Sequence, residues 1–144
     1  MYAGDFEINE EKYPGAKILT RDDSQQVHII HDGIDLWCDR AIHYAQENFV
    51  EAYGNVNIKQ GDSINMNSKY VEYSGITKLA FASGDVVLTD PTSIIKSDTL
   101  YMDRVKQQAY YKSGGTVVKD SSGTITSQIG RYYMTNKKYQ LYKM

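Results

Sequence analysis

Residues 52–73 read AYGNVNIKQGDSINMNSKYVEY, and residues 82–103 read ASGDVVLTDPTSIIKSDTLYMD. Both stretches place a glycine before an alternating apolar run, a turn, and a second alternating run. In the first, Val56, Ile58, Ile64, Met66 and Ser68 alternate with Asn55, Asn57, Asn65, Asn67 and Lys69. Neighbouring side chains of a strand point to opposite faces, so the pattern describes strands with one dry face and one wet face. From Ser68 to Val71 the step is three rather than two. That parity shift predicts a bulge or bend with a small residue in its inner corner. The segments KQGDS, YSGIT, TDPTS and KDSSG have the composition of turns.

The same pattern extends outward at a fixed period. Cys38, Ser68, Ser97 and Ser127 follow one another at spacings of 30, 29 and 30. Leu36, Met66, Ile95 and Ile125 stand two residues before them, and Ala41, Val71, Leu100 and Gly130 three residues after. His43, Tyr73, Met102 and Tyr132 make a further column. Val27, Val56, Val86 and Val117 repeat independently, at spacings of 29, 30 and 31. Gly54, Gly84 and Gly115 stand two residues before the last three of these valines, with Gln25 before the first. These glycines are expected to allow a sharp corner or a positive φ. A unit of about 30 residues cannot bury its dry face alone, so about four units must stack into one apolar surface. The expectation is an all-β chain with a flexible N-terminal arm over residues 1–20 and one β-domain over residues 21–144. No stretch of ten residues carries a helical stripe.

The totals narrow the function. Net charge is −2 over 144 residues, which argues against the broad basic surface that nucleic acid requires. Thirteen tyrosines against two prolines suit strands. No run approaches the roughly 20 apolar residues of a membrane helix. The opening MYAGDFEINEEKYPG is acidic and lacks the apolar centre of a secretory signal. Cys38 is the sole cysteine, so no intramolecular disulfide forms.

Catalytic readings find little support. There is no Gly-rich phosphate loop, G-x-S-x-G or H-E-x-x-H. His28, His31 and Asp32 could suggest a metal, with His43 added. On a strand, however, positions i and i+3 diverge, and solvent-facing histidines are the plainer reading. Asp39, Asp98 and Asp103 are better explained by turn and backbone hydrogen bonds than as paired catalytic carboxylates. No catalytic residue, metal or cofactor is expected. Tyr70, Tyr110, Tyr111, Tyr132, Tyr133, Tyr139 and Tyr142 could stack on sugars, against the plainer reading of cross-strand packing. A carbohydrate-binding β-repeat and a purely structural module are therefore the rival readings.

The pairing of a glycine motif with a small-Asp motif resembles the OstA-like family. It stands here as AYGNVNI (52–58) with LWCDRAIHY (36–44), and ASGDVVL (82–88) with IKSDTLYMD (95–103). The resemblance spans about residues 27–133. Lys69 and Gln128 depart from the Asp column, and Gln25 from the Gly column. The resemblance implies a twisted β-jelly roll whose two sheets gape in a V around the acyl chains of lipid A. It implies a non-enzymatic lipopolysaccharide carrier in the periplasm, associating with the outer membrane, with other lipopolysaccharide-transport components as partners. The inner face would be Val56, Ile58, Ile64, Met66, Val71, Tyr73, Val86, Leu88, Ile95, Leu100, Met102, Val117 and Ile125. Free edges follow from any open stack. Head-to-tail self-association would use VHIIH with Val27 and Ile29 at one end, and KKYQLYKM with Tyr139 and Leu141 at the other. Lys137, Lys138 and Lys143 lie beside that second edge.

Overall fold

The computed structural model describes residues 2–31, 33–119 and 123–142. Asp32 and Lys143, named above, lie outside them. Among the described residues there are fourteen strands and no helix. β1 (Asp5–Glu7), β2 (Ala16–Thr20) and β3 (Val27–His31) precede β4 (Ile34–Cys38) and β5 (Arg40–Tyr44). Four long strands follow: β6 (Phe49–Gln60), β7 (Ile64–Ser74), β8 (Leu79–Thr89) and β9 (Ser93–Asp103). β10 (Gln108–Tyr111), β11 (Gly115–Lys119), β12 (Gly123–Ser127), β13 (Ile129–Tyr133) and β14 (Lys138–Tyr142) complete the chain.

All fourteen belong to one antiparallel sheet, bent along a line that crosses every long strand. On one side of the bend the order is β1-β2-β5-β6-β7-β8-β9-β10-β13-β14. On the other it is β3-β4-β6-β7-β8-β9-β11-β12. We call these the ten-stranded and the eight-stranded half.

The bend is written in the sequence. Register shifts fall between Tyr53 and Val56, between Asn67 and Tyr70, and between Ser83 and Val86. At each G-[N/D]-V motif two consecutive residues are left-handed: Gly54 (φ 80°) with Asn55 (45°), and Gly84 (85°) with Asp85 (48°). Asn and Asp tolerate this conformation better than other side chains. The glycines also leave room for the neighbouring strand. A Cβ at Gly54 would lie 2.8 Å from Asp39 Oδ2, and one at Gly84 2.7 Å from Lys69 Cβ. The column that holds Asp39 and Lys69 thus packs over the next strand's glycine. In the last copy the prediction shifts by one residue. Gly114, not Gly115, has the positive φ (97°), while Gly115 is needed because a Cβ there would lie 2.6 Å from Tyr111 Cε1.

A third column escaped the sequence reading. Asn48, Lys78, Gln107 and Lys137 close the hairpin turns at φ of 52°, 63°, 54° and 57°. None is glycine and only Asn48 is of a type that favours this conformation, so residue type gave no sign of a repeated left-handed column.

The expected N-terminal arm is partly sheet. Ala16, Ile18 and Leu19 of β2 are buried, and β2 pairs with β5 along its whole length. A short apolar run after the Pro14-Gly15 turn was too brief to show a period. Upstream, β1 pairs with β2, and Tyr2 bridges His28 at the edge of β3. Tyr2 Oη donates to Asp22, whose carboxylate also accepts from Ser24 N and Gln25 N at 2.8 Å. These bonds hold the Asp22 carboxyl down at about 2.

Candidate functional site

The dry faces of the two halves meet in one apolar interior. On the eight-stranded half, Ile29, Leu36, Ile58, Met66, Leu88, Ile95, Val117 and Ile125 are direct cross-strand neighbours from β3 to β12. On the ten-stranded half, His43, Val50, Tyr73, Ala80, Met102, Ala109, Tyr132 and Tyr139 form the facing row. Of the thirteen residues assigned to the inner face, Val56, Ile58, Ile64, Met66, Val71, Tyr73, Val86, Leu88, Ile95, Leu100, Met102 and Val117 are buried. Ile125 is not: it is 39% exposed. It sits on the last strand of its half: among the described residues β12 pairs only with β11, and no further strand covers the side chain.

The interior is not uniform along the stack. At the N-terminal end a cavity of about 250 Å³ opens between the halves. Ile29, Ile34, Leu36 and Ile58 line one side; Val50, Tyr73, Ala80 and Met102 line the other. Ile30 and His31, both exposed, stand at its rim. Toward the C-terminal end, Tyr111, Tyr132 and Tyr139 leave no water-sized space among Ile95, Leu100, Val117 and Leu141. The Tyr111 ring lies against Gly115 and Gly130, where a Cβ would overlap it.

Polar bonds tie the two free lips together. At the N-terminal side Arg104 donates from Nε across the lips to Gln60 Oε1 (3.2 Å), and from Nη1 to Tyr73 Oη (3.2 Å) within its own half. At the C-terminal side Tyr132 Oη donates to Asp90, and Ser93 Oγ and Tyr139 Oη share a hydrogen bond. Lys119 Nζ stands 4.9 Å from the Tyr139 ring centroid, and Tyr139 stacks on Tyr132 at 4.6 Å. Asp90 is also fixed by Thr92 N and Ser93 N, so its acceptor oxygens are presented rigidly.

Other predicted residues fall outside the interior. His28 is part-buried on the outer face, stacked on Trp37 at 4.5 Å and 2.9 Å from Asp35 Oδ1. It does not converge with His31 or His43. His43 is not solvent-facing as expected but half-buried, and burial lowers its pKa. Among the described residues no three His, Cys, Asp or Glu groups gather as a metal site. Asp39 accepts from Arg21 (2.9 Å), Gln26 (3.1 Å) and Asn55 (2.9 Å) at the bend. Asp103 caps a turn through Val105 N and Lys106 N, while Asp98 is exposed. Cys38 is fully buried, and desolvation pushes its thiol up to about 12.

The tyrosines divide between inside and outside. Tyr111 and Tyr132 are core. On the outer face Tyr101 and Tyr110 stack on each other at 5.1 Å, and the Arg131 guanidinium covers Tyr110 at 4.6 Å. Tyr53 and Tyr70 give their hydroxyls to Glu51 and Glu72. Burial, with Glu51 beside it, pushes Tyr53 up to about 12. Tyr101 and Tyr110 thus each spend a face on the other, whereas Tyr142 at the edge is 54% exposed.

A sheet folded on itself, with an apolar interior and bonded lips, defines a β-jelly-roll domain. The chain belongs to the OstA-like family, whose sequence model matches residues 3–144. Among solved structures it is similar to LptH, the LptA-homologous periplasmic component of the lipopolysaccharide transport device of Pseudomonas aeruginosa. The TM-score is 0.68 at 12% identity, over 77% of this chain and 82% of that one. No curated protein sequence matches it.

Proposed function

We propose that this chain is a non-enzymatic carrier of lipopolysaccharide in the periplasm, holding lipid A acyl chains between its two half-sheets. The observation that carries the reading is the N-terminal cavity: apolar on both sides, open at Ile30 and His31, and continuous with a dry row across eight strands. Each acyl methylene removed from water contributes about 0.8 kcal/mol, so an amphiphile with several chains needs such cover to cross an aqueous space. Met66 and Met102 give the walls adaptable contacts. Family membership and the likeness to LptH support the same reading. Partners would be other components of lipopolysaccharide transport, and an ATPase elsewhere would supply the energy.

Self-association by strand addition is part of this proposal. β12 and β14 each pair on one side only among the described residues. Tyr139 and Leu141 turn their side chains against the core, leaving the backbone edge of β14 for a partner. At the other end Val27 and Ile29 are buried, and Tyr2 already occupies part of the β3 edge, so docking there requires its displacement.

The test is native mass spectrometry of the purified chain after incubation with lipopolysaccharide. A mass increase of one lipopolysaccharide, with multimers at higher protein concentration, is expected. Absence of any lipid adduct under conditions that keep the chain folded would overturn the carrier reading.

A further inference from the structure

The two ends of the interior differ in a way that a uniform lipid groove does not require. We infer that Tyr111, Tyr132 and Tyr139 form a plug that confines acyl chains to the N-terminal part of the interior, with the Tyr132–Asp90 and Tyr139–Ser93 bonds as its latch. The inference rests on the carrier reading above and adds which residues set how far the cargo reaches.

Three observations meet here. First, the plug fills its region, since no water-sized space remains among Tyr111, Tyr132, Tyr139 and the facing Ile95 and Val117. Second, the rings are seated. Tyr111 lies against Gly115 and Gly130 and bonds Ser127 Oγ at 2.5 Å, and both Gly positions would clash with a side chain. Third, the outer two rings bond across the lips. Their hydroxyls come from β13 and β14 of the ten-stranded half and reach Asp90 and Ser93 at the end of the eight-stranded half.

The chemistry suits a latch rather than a plain core. A buried tyrosine combines a large apolar ring with a hydroxyl that must be satisfied. Parting the lips exposes Asp90, Ser93 and two phenols to water, which can replace each lost bond. In the closed form the buried Asp90 Oδ2 depends on the Tyr132 hydroxyl, so loss of that donor leaves it unsatisfied and favours open, hydrated lips. The row that holds the plug also explains the cavity. Along it, Val50 and Ala80 stand where the N-terminal end is open, and Tyr132 and Tyr139 where the C-terminal end is closed.

The experiment uses the full chain, methyl-labelled, with unlabelled stearate as the acyl-chain probe. Intermolecular NOEs report direct contact. In the unsubstituted protein they are expected to Ile34, Leu36 and Ile58, and to be absent from Ile95, Leu100 and Val117. In Tyr132→Phe/Tyr139→Phe, which keeps both rings and removes both latch hydroxyls, NOEs are expected to spread to the second group. NOEs to both groups in the unsubstituted chain would overturn the plug and leave the carrier reading standing. NOEs to neither group would overturn the acyl-chain reading and the plug with it. Contacts that stay confined in the folded double variant would overturn the latch. The comparison within the unsubstituted protein holds even where the variant fails to fold.

Discussion

At one end of the interior Val50 and Ala80 face Ile34 and Ile58 across open space; at the other Tyr132 and Tyr139 fill the same row and bond to the opposite lip. Both ends share antiparallel pairing and the inward columns, although the left-handed glycine stands one residue earlier in the last copy. They differ in side-chain volume at a few positions of one row. The comparison teaches that a repeat can keep its strand pairing while its interior is graded from cavity to core, because backbone pairing does not depend on how much the inward residues fill.

The largest test of this contrast removes bulk at each end. Tyr132→Ala is expected to cost about 3–5 kcal/mol, as for a large buried aromatic. Ile34→Ala, which borders an existing cavity, should fall near 2 kcal/mol, the low end for a buried aliphatic. Urea unfolding of both variants reads the difference. Equal costs would mean that the two ends are packed alike.

Adding bulk should invert the order. Gly130→Ala pushes a methyl into the Tyr111 ring and is expected to cost about 1–3 kcal/mol. Ala80→Val grows into the cavity and should cost less than about 1 kcal/mol while weakening acyl-chain binding. Thermal unfolding together with stearate titration separates these effects. A destabilised Ala80→Val with unchanged binding would place the ligand elsewhere.

The hairpin turns should not distinguish the ends. Lys78→Gly and Lys137→Gly each relieve a left-handed side chain, and each is expected to gain about 0.5–1 kcal/mol after the entropy of glycine is subtracted. A gain at one turn alone would show that the repeated geometry is held by different means at the two places.

The smallest effect is electrostatic and local to the N-terminal edge. The Asp22 carboxyl is held down at about 2 from an ordinary 3.8 by bonds that fix Tyr2 and the turn after β2. A depressed carboxyl stabilises fully above its unfolded value and loses that contribution as pH falls through the folded one. Protection of the Tyr2 and His28 amides against exchange should therefore be retained near pH 5 and decline between about 4 and 2. The amides of Leu100 and Ala109 serve as the internal control. Loss of protection at all four together would indicate global acid unfolding instead of release of the edge.

The sequence alone carried the strand repeat, the bend and the burial of twelve inward residues, for a physical reason: alternation, parity shifts and Gly-Asn or Gly-Asp pairs are local, and the backbone obeys them wherever it runs. Resemblance to the OstA-like family was legible from the same short motifs. The graded interior was not. Tyr73, Met102 and Tyr132 occupy one column and look equivalent in the sequence, yet Tyr73 and Met102 line a cavity while Tyr132 belongs to a plug. What separates them is the residue facing each across the fold and the lip it reaches. Ile125 carried the same inward parity as Ile95, and only its place on the last strand leaves it exposed. The pairing of Tyr132 with Asp90 joins residues 42 apart in sequence, and that of Tyr139 with Ser93 joins residues 46 apart. No local pattern specifies such contacts; they exist because the sheet folds over and brings its two free lips together.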